Sequence, residues 1–289
     1  MNLLGRDTEL AQLRTYVQQR QHTLIVGAIG VGKSALLRAA LADQPVVLVI
    51  EQLVPFKASL LTIAQQLHQR NRLQLPMTEA HYLTWEEVQP HLTRLSVVEL
   101  AHLLTPLLTD AVLVLDDCDA ITPITAHLLE SFFAQTLIIG AMTELPLRHA
   151  LQRFVWHFRV IALTPLTQPA SHELLWQRVD ATTIPAPYTF EQHVLQMANG
   201  NPLAITELAQ QAQRVPIATP EQMRHLHHDA GIHYIDLTLG LLVLGAVAVI
   251  CRFLALGLND IDAYILAGSM GACFLVVRFF IYRSLRRSR

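Results

Sequence analysis

Apolar residues follow two rhythms along this chain. Short, largely β-branched runs occupy Thr23–Gly27, Val46–Ile50, Ala111–Leu115, Thr136–Gly140 and Val155–Leu163, each about the length of a buried strand. Between them apolar positions recur at helical spacing over Asp7–Arg20, Lys33–Ala42, Lys57–Arg70, Ser96–Leu108, Pro123–Ala134 and Pro146–Arg153. Ser96-Val-Val-Glu99 has the form of a capping box and marks a helix start. Wholly apolar strands alternating with helices predict an α/β fold with an open, parallel, five-stranded sheet covered on both faces. From Gln168 to Gln213 the helical rhythm dominates, which predicts a small helical lid. Leu73–Gln89, with Pro76 inside it and Pro90 just after, reads as a loop or insertion.

The C-terminal part has neither rhythm. Leu237–Leu258 is apolar apart from Arg252, and Ala263–Tyr282 is apolar apart from Arg278. Each is long enough to cross a bilayer core of about 30 Å. A short turn, Asn259-Asp-Ile-Asp262, separates them, and a basic tail, 283–289, follows. The pattern predicts a two-helix transmembrane hairpin, with a buried hairpin in a soluble core as its alternative. The basic tail places both termini in the cytoplasm and the chain in the cell membrane as a multi-pass protein. Arg252 is close enough to the turn to snorkel or to meet Asp260 or Asp262. Small residues spaced four apart, Gly268 with Ala272 and Ala267 with Gly271, suit close helix packing there.

Composition sharpens this division. The 289 residues are 52% hydrophobic with a mean hydropathy of +0.34, and only 15% are charged, against about 25% in ordinary soluble domains. Residues 237–289 carry six Arg and two Asp, a net of +4, which leaves −6 in 1–236. Nucleic-acid binding is therefore disfavoured, since it calls for a basic face. Three scattered cysteines, Cys118, Cys251 and Cys273, make neither a disulfide framework nor a zinc site. The N-terminus, MNLLGRDTEL, has no apolar run of the secretory kind. His225, His227, His228 and His233 lie near Asp229 without the paired spacing of a metal site, so a solvated linker is the reading for 216–236.

Chemistry is concentrated at two strand ends. Gly27-Ala-Ile-Gly30-Val-Gly32-Lys33-Ser34 is a complete G-x-x-x-x-G-K-S between an apolar strand and a helix, the setting that a phosphate-binding loop needs. Its glycines let backbone N–H groups wrap phosphates, and the helix start at Lys33-Ser34-Ala35 adds a positive field. Lys33 would reach the β- and γ-phosphates of ATP, and the Ser34 hydroxyl would ligate Mg²⁺. Lys33 is one of only two lysines, against 19 arginines. The second strand end is Val112-Leu-Val-Leu-Asp116-Asp117. Its form is that of a Walker B segment, in which Asp116 holds Mg²⁺ through water and Asp117 polarises the attacking water. Asp117 is one methylene shorter than glutamate, which predicts slow hydrolysis and a nucleotide-dependent switch. No guanine-reading N-K-x-D follows, which favours adenine.

Further segments carry a resemblance. Leu4-Gly5-Arg6-Asp7-Thr8-Glu9-Leu10 resembles the G-R-x-x-E-L box ahead of the phosphate loop in AAA+ ATPases of the origin-recognition and STAND type. Leu163-Thr-Pro-Leu166 and Gly200-Asn-Pro202-Leu-Ala-Ile205 are similar to the strand exit and the lid motif of those families. The resemblance implies a P-loop nucleotide-binding domain over 1–165 and a helical lid over 166–215, before the spans 237–258 and 263–282. It implies ATP and Mg²⁺ as cofactors, with Gly5, Arg6 and Pro202 near the base or ribose. Gly27, Gly30, Gly32, Lys33, Ser34 and Ala35 would hold the phosphates. Thr143 is the sensor candidate, and Arg148, Arg153 and Arg159 are finger or sensor candidates. The stretch from Thr143 to Arg153 also looks like ATPases that assist secretion and transposition. Partners implied are the membrane and a homo-oligomer or protein complex. The roles left open are a working ATPase helper of a secretion or transposition machine, and a defence or cell-death effector whose hairpin assembles in the membrane.

Overall fold

The computed structural model describes residues 3–73, 84–180, 182, 184, 186–214 and 238–258, with isolated residues between 261 and 274. Contacts divide the chain into two compact units, Met1–Gly231 and Ile232–Arg289. The linker 216–236 with its histidines, the tail 283–289 and most of the second apolar stretch lie outside the described residues.

The first unit is built on one parallel sheet. Its strands are β1 (Thr23–Val26), β2 (Val47–Ile50), β3 (Val112–Leu115), β4 (Leu137–Met142) and β5 (Arg159–Ala162), in the spatial order β2-β3-β4-β1-β5. Every neighbouring pair is parallel, as the apolar runs imply. Strand β4 separates β1 from β3, so the two motif-bearing strand ends are one strand apart. Side chains alternate between faces along each strand. Leu48, Leu113 and Leu115 pack into one core with helices α3 (Phe56–Gln69), α4 (Trp85–Arg94) and α5 (Val97–Leu104). Val112, Val114 and Ile161 pack into the opposite core with α1 (Asp7–Gln18) and α2 (Lys33–Ala40). The sheet is thus covered on both faces.

Strand β2 is an edge, and side chains close it. The Gln66 amide on α3 accepts from the Val49 N–H at 2.9 Å and donates to the Val49 carbonyl at 2.7 Å. An Arg70 N–H adds a bond to the Val47 carbonyl at 3.1 Å. Backbone groups that would otherwise invite another strand are satisfied in this way.

Several expected boundaries move, and α6 (Pro123–Glu130) ends four residues before the expected Ala134. The fifth run splits: Val155 ends α7 (His149–Val155), Phe158 packs beside Phe133 and Phe154, and only Arg159–Ala162 pairs with β1. Aromatic and β-branched residues gave that run a strand-like look, while burial put Phe154 and Phe158 in one aromatic cluster. The fourth helix breaks after Leu104 into a 3₁₀ turn, Thr105–Leu108, with Pro106 at its start. Its capping box forms, with the Glu99 N–H reaching Ser96 Oγ at 3.3 Å and the Ser96 N–H reaching Glu99 Oε2 at 2.8 Å. Part of the expected loop is the helix α4. The Thr84 N–H donates to Glu87 Oε2 at 2.9 Å, and Val88 and Leu92, one turn apart, are buried. That cap and apolar pair outweigh the internal Pro90.

After β5, α8 (Gln168–Arg178), α9 (Pro187–Ala198) and α10 (Pro202–Arg214) enclose a separate core of Leu175, Phe190, Val194, Ile205 and Leu208. This is the small helical element expected from the sequence.

In the second unit, α11 (Thr238–Gly257) covers most of the first apolar stretch. Among the described residues no helix is long and apolar enough to cross a membrane, so the expected two-span hairpin is not borne out. The two stretches do meet: a Cβ on Gly245 would lie 2.9 Å from the Phe274 ring. Asp260, one of the two acids expected opposite Arg252, lies outside the described residues. Arg252 donates to the Tyr264 hydroxyl at 2.7 Å and sits 4.9 Å from that ring's centre, a pairing that satisfies a cation with an aromatic face.

Candidate nucleotide site

The loop between β1 and α2 has the backbone that its glycines permit. Gly30 (φ +79°) and Gly32 (φ +103°) lie in the left-handed region, which side chains disfavour. A Cβ on Gly32 would meet nothing within 4 Å, so the loop has open space on that side. A Cβ on Gly27 would lie 2.7 Å from the Leu163 carbonyl, which ties the loop to the exit of β5. Lys33 opens α2 and bends back, its ammonium donating to the carbonyls of Gly27 at 2.7 Å and Ala28 at 3.1 Å. Burial holds this ammonium below its ordinary 10.5, against the opposite pull of Asp119, Asp116 and Asp117. One cation therefore faces three carboxylates.

Ser34 and Asp116, the two metal candidates, are in contact. Ser34 Oγ donates to Asp116 Oδ1 at 2.7 Å across 82 residues of sequence. Both line a cleft of about 500 Å³ together with Arg38, Glu51 and Val114. A hydroxyl and a carboxylate converging beside an open glycine loop form a hard oxygen donor set that fits Mg²⁺. The loop's open concave side and its lysine fit a phosphate group.

Asp117 lies exposed beside this pair, its Oδ1 accepting from the Asp119 N–H at 2.9 Å. Asp119, which the sequence reading did not single out, receives the Thr143 N–H at 2.6 Å and the Thr143 hydroxyl. The sensor candidate at the end of β4 is thereby joined to the loop after β3. The signal in the sequence was the third acid of the run Asp116-Asp117-Cys118-Asp119. Cys118 itself is buried, and that burial pushes its thiol far up, which suits a packing role.

Arg6 is 4% exposed. Its guanidinium donates to Glu9 at 2.9 Å and to the backbone carbonyls of Val31 and Thr164. It braces the phosphate loop against the β5 exit. Gly5 (φ +63°) lets α8 approach, since a Cβ there would lie 2.8 Å from that of Ala170. Pro202 starts α10, directly after Asn201, whose amide reaches the Ile29 carbonyl at 2.8 Å. Leu166 N–H bonds the Gly200 carbonyl at 2.8 Å, so the segment after β5 touches the turn between α9 and α10. Arg148, Arg153 and Arg159 are exposed on and beside α7 and β5, and no contact draws them to the Ser34–Asp116 pair.

A family model described as an AAA ATPase domain matches residues 2–140. No curated protein matches the chain. Among solved structures, the chain is similar to a Walker-type ATPase of Pyrococcus abyssi at 15% identity and a TM-score of 0.48, covering 89% of this chain and 77% of that one. It is also similar to a signal transduction ATPase with numerous domains, carrying a tetratricopeptide repeat sensor, from Pyrococcus horikoshii. That likeness has 16% identity and a TM-score of 0.43, and covers 70% of this chain but only 29% of the other.

Proposed function

We propose that the chain binds ATP with Mg²⁺ on the Gly27–Ser34 loop and hydrolyses it slowly, as a nucleotide-dependent switch. The observation that carries this is the Ser34–Asp116 contact at 2.7 Å, set beside a glycine loop with Lys33 at its rim. Ser34 and Asp116 would hold the metal, which when bound supplies positive charge against the β- and γ-phosphates. Lys33 and the loop N–H groups bind the phosphates, while Asp117 polarises the attacking water. Phosphoryl transfer needs little more from the protein than such positioning and charge stabilisation.

The test is calorimetric titration with ATP and Mg²⁺, together with phosphate release. Lys33→Ala is expected to abolish binding. Asp117→Asn should keep it and lower the hydrolysis rate by about 10²-fold or more, as loss of a positioned base does. Unchanged ATP affinity in Lys33→Ala would sink the reading.

A second element of the proposal is attachment to a membrane through residues 237–282. Its support is the near-uncharged composition of both stretches and the exposure of Val247, Val249, Ile250, Phe253, Leu254 and Leu256 on α11. With attachment, two roles follow: an effector whose C-terminal unit assembles in the membrane, or an ATPase helper of a larger complex. Lys33→Ala and Asp117→Asn separate them. An effector triggered by ATP binding loses membrane leakage with the first and keeps it with the second, whereas a helper loses its function with both and never leaks.

A further inference from the structure

Resting on the reading of Gly27–Ser34 as a phosphate loop, we infer that Asn201 is a positioning residue that shapes that loop from the lid side. Asn201 is 8% exposed and caps α10, its Oδ1 accepting from the Leu203 N–H at 3.0 Å and the Ala204 N–H at 3.3 Å. Those two donors fix which end of the amide is oxygen. The nitrogen is left to donate to the Ile29 carbonyl at 2.8 Å. Beside it the Leu203 N–H donates to the Gly30 carbonyl at 3.2 Å. One helix start thus holds two successive carbonyls of the loop.

The consequence follows from peptide geometry. Across a planar trans peptide, a carbonyl and the next N–H point in opposite directions. Holding the Ile29 and Gly30 carbonyls toward the lid turns the N–H groups of Gly30 and Val31 toward the concave side of the loop. The Val31 N–H, held in this way, donates to the Ala28 carbonyl at 3.3 Å within the loop. Phosphate is recognised by such N–H groups, so the lid sets their aim before any ligand arrives. The approach is tight by construction: a Cβ on Gly30 would lie 2.7 Å from Asn201 Oδ1 and 2.8 Å from the Leu203 Cβ. A plain helix cap needs only the bonds to Leu203 and Ala204, so the bond to Ile29 is additional to capping.

Two variants separate the roles, because Ser and Asp also cap helices well. Asn201→Ser and Asn201→Asp keep an oxygen for α10 and lose the amide donor to Ile29. Titration of the full chain with ATP, ADP and adenosine, alongside thermal unfolding, reads the difference. Both variants should bind ATP and ADP about tenfold more weakly, the worth of one hydrogen bond in a binding loop. Adenosine affinity should stay near wild type, and the melting temperature should fall by no more than a few degrees in either variant, the cost of one part-buried bond. Equal losses for adenosine and ATP, a loss in Asn201→Asp alone, or no loss at all would each overturn the inference. Failure of wild type to bind ATP would overturn the underlying nucleotide reading as well, and is distinguished by that control.

Discussion

At the scale of single residues, the site is a set of charges and donors whose partners are mostly distant in sequence. Lys33, Ser34 and Asp116 were legible because each belongs to a short motif with a fixed chemical purpose. Asp119 and Asn201 were not, because their meaning depends on Thr143 and Ile29, which only folding brings near. Arg6 was placed near the nucleotide by motif likeness. In the fold its terminal nitrogens donate to Glu9 and to the Val31 and Thr164 carbonyls, so it also ties the loop to the chain after β5. A second residue-scale feature is His22. Its Nδ1 accepts the Ile138 N–H at 3.0 Å, and its ring lies 4.6 Å from that of Phe133. Burial, followed by the nearby His157 and Arg20, lowers its pKa from 6.5. A depressed pKa in the folded state means that the unfolded chain binds the proton more readily. The stabilising contribution is therefore fully present above pH 6.5 and is lost as pH falls through the lower folded-state value. Thermal unfolding followed from pH 7.5 to 5 should show this decline. His22→Asn, which offers a neutral acceptor to Ile138, should flatten it. An equally steep acid decline in the variant would assign the effect elsewhere.

At the scale of elements, strands were read better than their ends. Each of the five apolar runs overlaps a strand, β4 running two residues past its run to Met142, since burial on both sheet faces demands unbroken apolar sequence. The ends moved where another force outweighed the local pattern, as when aromatic packing drew Phe158 out of β5. Helix α4 was missed because Pro90 reads as a breaker, while the Thr84–Glu87 cap and the Val88–Leu92 pair are weak signals along the chain. The edge of β2 shows an element completed by side chains from another. Gln66 makes two bonds to Val49, each worth about 1 kcal/mol net. Gln66→Ala should therefore lower stability by about 1–3 kcal/mol in urea unfolding. It should also expose a strand edge and make association depend on protein concentration in light scattering. Loss of stability without association would show that Arg70 and the bulk of α3 protect the edge by themselves.

At the scale of the whole chain, low charge and high hydropathy have separate origins. Charge is as sparse in residues 1–236, 36 of 236, as in the chain overall, so the C-terminal stretches do not account for it. They do account for much of the mean hydropathy of +0.34. The first unit needs no apolar partner to be a folded body. It has cores on both faces of its sheet and another among α8, α9 and α10. The second unit carries large apolar side chains in the open, with Phe253 69% and Leu254 59% exposed, and exposed apolar area on this scale needs a cover. Under the proposed membrane attachment a bilayer would be that cover, given 22- and 20-residue stretches with one arginine each. A chain ending at Gly231 is therefore expected to disperse in buffer, unfold cooperatively and bind ATP as the full chain does. The full chain is expected to sediment with membranes, to resist alkaline carbonate extraction and to be released by detergent. Release by carbonate would restrict the second unit to peripheral contact. Full-length chain in the soluble fraction would end the membrane proposal and point instead to a protein partner on α11.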